Sequence, residues 1–297
     1  MKYETWGIIL TIIGGALWGL SGTSGQFLLQ ERGVTSEWLV TIRIVTAGLI
    51  TIVWAYLREK EKIFRIWHQP KDILKLFIFG IGGLALCQYA YFTSIRYSNA
   101  GIATVIEYTG PAMIILYIAL RHHQWPTARE GMALTFAMIG TFLLATHGSF
   151  DSLALPKEAL LWGVVAALSL ALYNVQPVQL LHIYGTMPIV GYGMILGGTV
   201  MLFLFPPYPI VGHWDFMAVM SMLTVIVLGT VVSFTLYLEG VKRIGPARSS
   251  ILSSCEPISA TIFSAALLGT TFSIIDILGF AFILSTVFLI AGEKKCT

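Results

Sequence analysis

Ten stretches of about twenty apolar residues, joined by short polar connections, leave this chain few ways to fold. They fall near 6–29, 37–57, 72–95, 99–120, 128–146, 160–182, 187–205, 216–238, 246–269 and 273–292. A helix satisfies its backbone polar groups within its own segment, which lipid demands. Strands of a membrane barrel are shorter and alternate in polarity. The expected fold class is therefore all-α integral membrane, with ten transmembrane helices. Composition agrees, because only 11% of the 297 residues are charged and 56% are hydrophobic. Soluble domains carry about 25% charged residues. With a mean hydropathy of +0.80, the chain cannot clothe a water-facing surface.

The run from Trp6 to Leu29 is too long for a signal-peptide core, and no A-x-A site follows it, so it reads as the first span. Placing the N-terminus in the cytoplasm puts thirteen Lys and Arg residues on the inner side and three, Arg32, Arg96 and Lys157, on the outer. That bias predicts a multi-pass protein of the plasma membrane with both termini cytoplasmic. The basic residues are topology signals in short loops and not a nucleic-acid face. Cys87, Cys255 and Cys296 form no CxxC or Cys/His pattern. No metal and no cofactor is expected.

The chain also repeats itself. Residues 91–146 slide onto 237–292 without gaps, matching Tyr91 with Tyr237, Pro111 with Pro257, Ala119 with Ala265 and Phe136 with Phe282. Acidic Glu130 meets acidic Asp276, and Ala16-Leu17-Trp18 has a counterpart in Ala171-Leu172-Tyr173. The division places spans 1–5 in residues 1–150 and spans 6–10 in residues 151–297. An odd number of spans per half makes the second half enter from the opposite side. Two inverted five-helix repeats can rock against each other around a mid-membrane site at their interface.

Several short motifs carry a resemblance. They are Ala16-Leu17-Trp18-Gly19 in span 1, Arg43 early in span 2, and Tyr97-Ser98-Asn99-Ala100-Gly101 running to Pro111 in span 4. The strongest is Gly245-Pro246-Ala247-Arg248-Ser249-Ser250 running to Glu256-Pro257 in span 9. In order and spacing they resemble the drug/metabolite transporter superfamily, specifically its EamA-type ten-helix members. The resemblance implies a carrier of amino acids, other metabolites or drugs, often moving them outward. Members often carry a glycine–glutamate pair after spans 4 and 9. Here Arg121-His122-His123 and Gly269-Thr270-Thr271 stand instead, so no mechanism resting on those glutamates is carried over.

Glu107 and Glu256 are the sharpest single features. A carboxylate near mid-bilayer costs on the order of 3 kcal/mol. At about 1.5 Å per residue, Glu107 lies about 12 Å and Glu256 about 15 Å inside their spans. They are candidates for proton coupling or for pairing a cationic amine; the competing reading is a neutral carboxyl that knits helices together. Pro111 and Pro257 each free a carbonyl four residues back and mark candidate helix breaks. Trp18, Gln88, Tyr89, Tyr108, Asn174 and Gln176 are the candidate substrate-binding residues, forming an aromatic, mostly uncharged cavity. An interfacial aromatic belt with interhelix hydrogen bonds is the alternative. Arg43 reads as structural, reaching outward or pairing with a carboxylate. Glu239 stands three and four residues before Lys242 and Arg243, the spacing of a helical ion pair. Gly15-xxx-Gly19 and Gly193-xxx-Gly197 let helices approach closely, within one chain or between two.

Two rival classes fare worse. Gly19-Leu20-Ser21-Gly22 and Gly22-Thr23-Ser24-Gly25 resemble the serine motif of intramembrane proteases, but no span holds a central histidine to act as base. No HExxH or P-loop is present, so an enzyme is not expected. A receptor or scaffold has no need of an inverted repeat or of carboxylates at depth. The sequence predicts a secondary transporter of small metabolites, amino acids or related amine and aromatic solutes, working outward. Protons are candidate coupling partners, and import of a cationic amine is the alternative.

Overall fold

The apolar runs are helical in the computed structural model, which describes residues 2–97, 103, 106, 107, 109, 110, 113, 114, 127–146, 156–268 and 274–291. Helix α1 spans Lys2–Gln30 and α2 spans Ser36–Glu59. A third rod joins α3 (Pro70–Phe77), a π-helical stretch (Ile78–Ala85) and α4 (Leu86–Tyr97). Helix α5 covers Ala128–Thr146. Helices α6 (Lys157–Val175) and α7 (Val178–Tyr184) form one rod bent at Pro177, followed by α8 (Thr186–Leu204). Helix α9 (Phe216–Leu223), a second π-helical stretch (Thr224–Val232) and α10 (Ser233–Ile244) make the next rod. Helices α11 (Pro246–Leu252), α12 (Cys255–Leu268) and α13 (Ile274–Ala291) complete the described chain. Most of the expected span 99–120 lies outside the described residues. Among the described residues, seven helical rods are long and apolar enough to cross a bilayer, and none is a strand.

The helices are inside-out by the standards of a water-soluble bundle. On α6 the large apolar residues Leu160, Leu161, Val164 and Leu168 are exposed, whereas Ala159, Gly163, Ala166 and Ala167 are buried. Hydrocarbon tails are as apolar as leucine, so large side chains gain little by turning inward. Close packing between small-residue faces holds the helices together instead. A Cβ on Gly19 of α1 would stand 2.5 Å from the Ala260 nitrogen and 2.6 Å from the Glu256 oxygen of α12. Likewise, a Cβ on Gly80 would stand 2.5 Å from the Gly193 oxygen, and one on Gly197 would stand 2.5 Å from the Gly80 oxygen. Both glycine pairs singled out in the sequence thus serve contacts within the chain.

The packing partners exchange in a regular way. Helix α1 packs on α10, α12 and the second π stretch, while α6 packs on α4 and the first π stretch. Gly163 and Gly110 bring α6 against the segment around Ile106, as Gly15 and Gly19 bring α1 against α12. Helix α2 lies against α8, and α5 lies against α13. The two π stretches are related by the same shift that lays 91–146 on 237–292.

Two polar rims cap the ends of α1. At its C-terminal end, Arg32 pairs with Asp215 at 3.0 Å, and the His213 N–H donates to the Arg32 carbonyl at 2.8 Å. Asp215 also caps α9 by accepting from the Ala218 N–H at 2.8 Å. That hydrogen bond holds the Asp215 carboxyl below its ordinary value; partial burial opposes it, and the Arg32 guanidinium adds to the lowering. At the other end, Glu239 accepts from Arg243 at 2.9 Å, lies 4.0 Å from Lys242 and is hydrogen-bonded by Thr186. The expected helical ion pair forms, and the Arg243 guanidinium stacks 4.7 Å over Tyr3.

Gly19→Ala should cost about 1–3 kcal/mol of thermal stability, because the neighbour it strikes is backbone and cannot turn aside. Gly131→Ala, on α5 with nothing within 4 Å, should be neutral or gain up to about 1 kcal/mol. Thermal unfolding of the two purified variants compares them directly. A carboxyl lowered in the folded state contributes stability above its unfolded pKa, about 3.9, and loses it as pH falls through the lower folded value. Asp215→Asn keeps the cap and removes the charge, so it should flatten that acid limb of an unfolding-versus-pH curve.

Candidate functional site

The polar residues of the small-residue faces converge on one cavity. Glu107 and Glu256 both line it. Glu107 is 8% exposed, and its Oε1 accepts from the Cys87 thiol at 3.3 Å. Glu256 is half-buried on the first turn of α12, where the helix dipole favours negative charge.

Proline chemistry explains the local geometry. Pro257 has no N–H, so the Ser253 carbonyl would be orphaned in a regular helix. The Glu256 N–H takes that carbonyl instead, at 2.8 Å and three residues back, and the chain turns at Ser253–Ser254 between α11 and α12. A similar turn lies beside Glu107. There the Ile106 carbonyl accepts from the Thr109 N–H at 3.1 Å and from the Thr109 hydroxyl at 2.7 Å. The expected break at Pro111 and the expected wall residue Tyr108 lie outside the described residues.

One wall is aromatic. Trp18 meets Phe234 edge-on at 4.9 Å and Tyr237 at 4.7 Å, and Tyr173 meets Phe234 edge-on at 5.9 Å. Trp18, Tyr173 and Phe234 line the cavity. Gln88 lines it too; it is 5% exposed, and neither its Oε1 nor its Nε2 has a hydrogen-bond partner among the described residues. The Ser21 hydroxyl lines the same space, also without a partner among the described residues. Buried amides are nearly always paired, so the Gln88 amide stands out as hydrogen-bonding capacity left open to the cavity.

The other sequence-selected residues stand elsewhere. Asn174 is fully buried just behind the aromatic wall, accepting from the Tyr237 hydroxyl at 2.5 Å and donating to the Leu170 carbonyl at 2.8 Å. Tyr89 is stacked on Phe205 at 5.1 Å and meets Trp162 edge-on at 5.2 Å, outside the lining. Gln176 donates to the Lys75 carbonyl at 2.8 Å, at the bend between α6 and α7. Arg43 and Tyr91 line the cavity although neither was selected as a site residue. Arg43 neither reaches outward nor pairs with a carboxylate among the described residues. It is 3% exposed, donates from Nε to the Thr230 hydroxyl at 3.1 Å and stacks 4.9 Å over Phe92. Its depth was the available signal: seven residues into α2 is about 10 Å, close to the depth that singled out Glu107.

The contrast between Gln88 and Asn174 is testable by stability alone. Gln88→Met removes an unpaired buried amide at similar volume and should leave thermal stability equal or raise it by up to about 3 kcal/mol. Asn174→Leu removes the acceptor of the Tyr237 hydroxyl and should lose about 1–3 kcal/mol. Both are read by thermal unfolding in detergent.

The comparisons with known proteins agree with this architecture. The EamA-like transporter family matches twice, over residues 5–146 and 157–292. YicL of Salmonella typhimurium, an uncharacterized inner membrane transporter, is 37% identical over 292 residues, covering 97% of this chain and 96% of its own. An uncharacterized transporter of Archaeoglobus fulgidus is 24% identical, with 97% of this chain and 96% of its own covered. YcbK of Bacillus subtilis, also an uncharacterized transporter, is 26% identical over 73% of this chain and 74% of its own. A crystal structure at 18% identity superposes with a TM-score of 0.75 over 97% of this chain and 96% of its own, a likeness of fold. The protein is therefore a multi-pass membrane transporter for a small-molecule substrate, and it belongs to the EamA-like transporter family of drug/metabolite transporters.

Proposed function

We propose that the protein is a secondary transporter that moves small metabolites, amino acids or related amine and aromatic solutes, outward across the plasma membrane by alternating access. One observation carries this reading: Glu107 and Glu256, from opposite halves of the chain, line the same cavity beside an aromatic wall. A carboxylate at that depth is stable when it is protonated, paired or wet, and a carrier uses each of those conditions in turn. Trp18 would supply the apolar face for the solute and Gln88 a hydrogen-bonding edge. Glu107 and Glu256 would hold a proton or the substrate ammonium.

The architecture we propose is ten spans in two inverted five-helix halves, residues 1–150 and 151–297, with both termini cytoplasmic. The exchange of packing partners between α1 and α6, the self-paired α2–α8 and α5–α13, and the matching π stretches support it. The bias of Lys and Arg supports the orientation.

Thermal stability of the purified protein across a panel of aromatic and aliphatic amino acids, amines, quaternary ammoniums and nucleosides tests the reading. A solute at about 100 times its dissociation constant should stabilise by roughly 2.7 kcal/mol. The same solute should then cross proteoliposome membranes at a pH-dependent rate. The Glu107→Gln, Glu256→Gln double variant should lose that pH dependence. Unchanged flux and unchanged pH dependence in the double variant would remove the coupling role from both residues.

A further inference from the structure

Arg43 lies in the cavity with most of its hydrogen-bonding capacity unspent. A guanidinium has five N–H donors. The Nε donor goes to the Thr230 hydroxyl at 3.1 Å, and the Nη1 and Nη2 donors have no partner among the described residues. The side chain is 3% exposed and lines the same space as Glu107 and Glu256, yet it forms no ion pair among the described residues. Leaving a buried cation unpaired is costly, and an arriving anion would recover that cost.

The group is also held in place before anything binds. Thr230 stands in the second π stretch and donates its own hydrogen to the Val225 carbonyl, five residues back, at 2.7 Å. Its oxygen is thereby turned to accept from Arg43. The Phe92 ring supports the guanidinium face at 4.9 Å. With Nε fixed and one face covered, the two Nη groups are the open edge, and a planar carboxylate fits such a fork with two parallel hydrogen bonds. Gln88 and Ser21 add polar groups without partners among the described residues to the same cavity. A doubly charged phosphate fits less well, because Glu107 and Glu256 share that space and oppose the second charge.

We infer that Arg43 is the anchor for a carboxylate on the transported solute. This rests on the carrier reading above and narrows it: amines and quaternary ammoniums without a carboxylate are not the solute. Where the solute also bears an ammonium, Glu107 and Glu256 face that end.

Three probes sharing one aromatic ring separate the possibilities: phenylalanine, phenylpropionate and phenethylammonium. Their dissociation constants are measured by titration of the full-length protein in detergent. Phenylalanine and phenylpropionate should bind. Arg43→Gln should weaken both about tenfold to a hundredfold, the equivalent of one charge-assisted hydrogen bond; phenethylammonium, which lacks the carboxylate, should bind neither the parent protein nor the variant. Arg43→Lys keeps the charge without the fork and should fall between, which preserves the test if the glutamine variant does not fold. Carboxylate binding unaltered in both variants overturns the anchor. So does a protein that binds phenethylammonium, or any amine of the wider panel, and neither carboxylate probe; the carrier reading then stands. A protein stabilised by no member of either set sinks the anchor and the carrier reading together.

Discussion

Lipid offers no hydrogen bonds, so each backbone polar group at depth must find its partner inside the protein. That constraint shapes every departure from regular helix described here. Pro257 withdraws a donor, and the Glu256 N–H supplies one a residue earlier. In the second π stretch hydroxyls add to the backbone ladder: Thr230 donates to Val225 and Ser233 to Leu228, each across five residues, and the Ser233 N–H reaches the same Leu228 carbonyl. None of these repairs borrows from solvent. They can therefore stand at the depth of the cavity, where a loop would be unstable.

The repairs are also what aim the side chains. The turn at Ser253–Ser254 sets Glu256 on the first turn of a new helix, and the hydroxyl that bonds across the second π stretch is the one that holds Arg43. Backbone irregularity and cavity-lining side chains coincide at these positions. Glycine plays the complementary part. Gly15 and Gly19 let α1 lie so close to α12 that Trp18 and Ser21, on the same helix, are carried to the cavity edge.

Much of this was legible in the residues. Run length gave the positions of the rods to within a few residues, because the bilayer fixes how much chain a helix needs. Glu107 and Glu256 stood out because charge at depth is expensive, and Trp18 and Gln88 followed from their neighbours in the same spans. Which way a side chain faces was not legible. Asn174 and Gln88 are both amides deep in spans, and only three-dimensional packing separates the amide bonded to Tyr237 from the one with no partner. Tyr89 and Tyr91 differ by two positions, a turn of about 200° around a helix, so one packs on Phe205 and the other faces the cavity. Arg43 was visible as a charge within a span; that it has no carboxylate partner among the described residues was not. The π stretches leave no mark in composition at all.

The two polar rims sit at opposite ends of α1, a helix of 29 residues and therefore about 44 Å long. The hydrocarbon core is about 30 Å thick, so Arg32–Asp215 and the Glu239 cluster meet two different aqueous solutions. At about 8–10 Å, the screening length of physiological salt is far shorter than the distance between them. Neither rim feels the other's field. Salt on one side of the membrane screens only the rim it bathes, so the two ends of one rigid helix are fastened by electrically independent contacts.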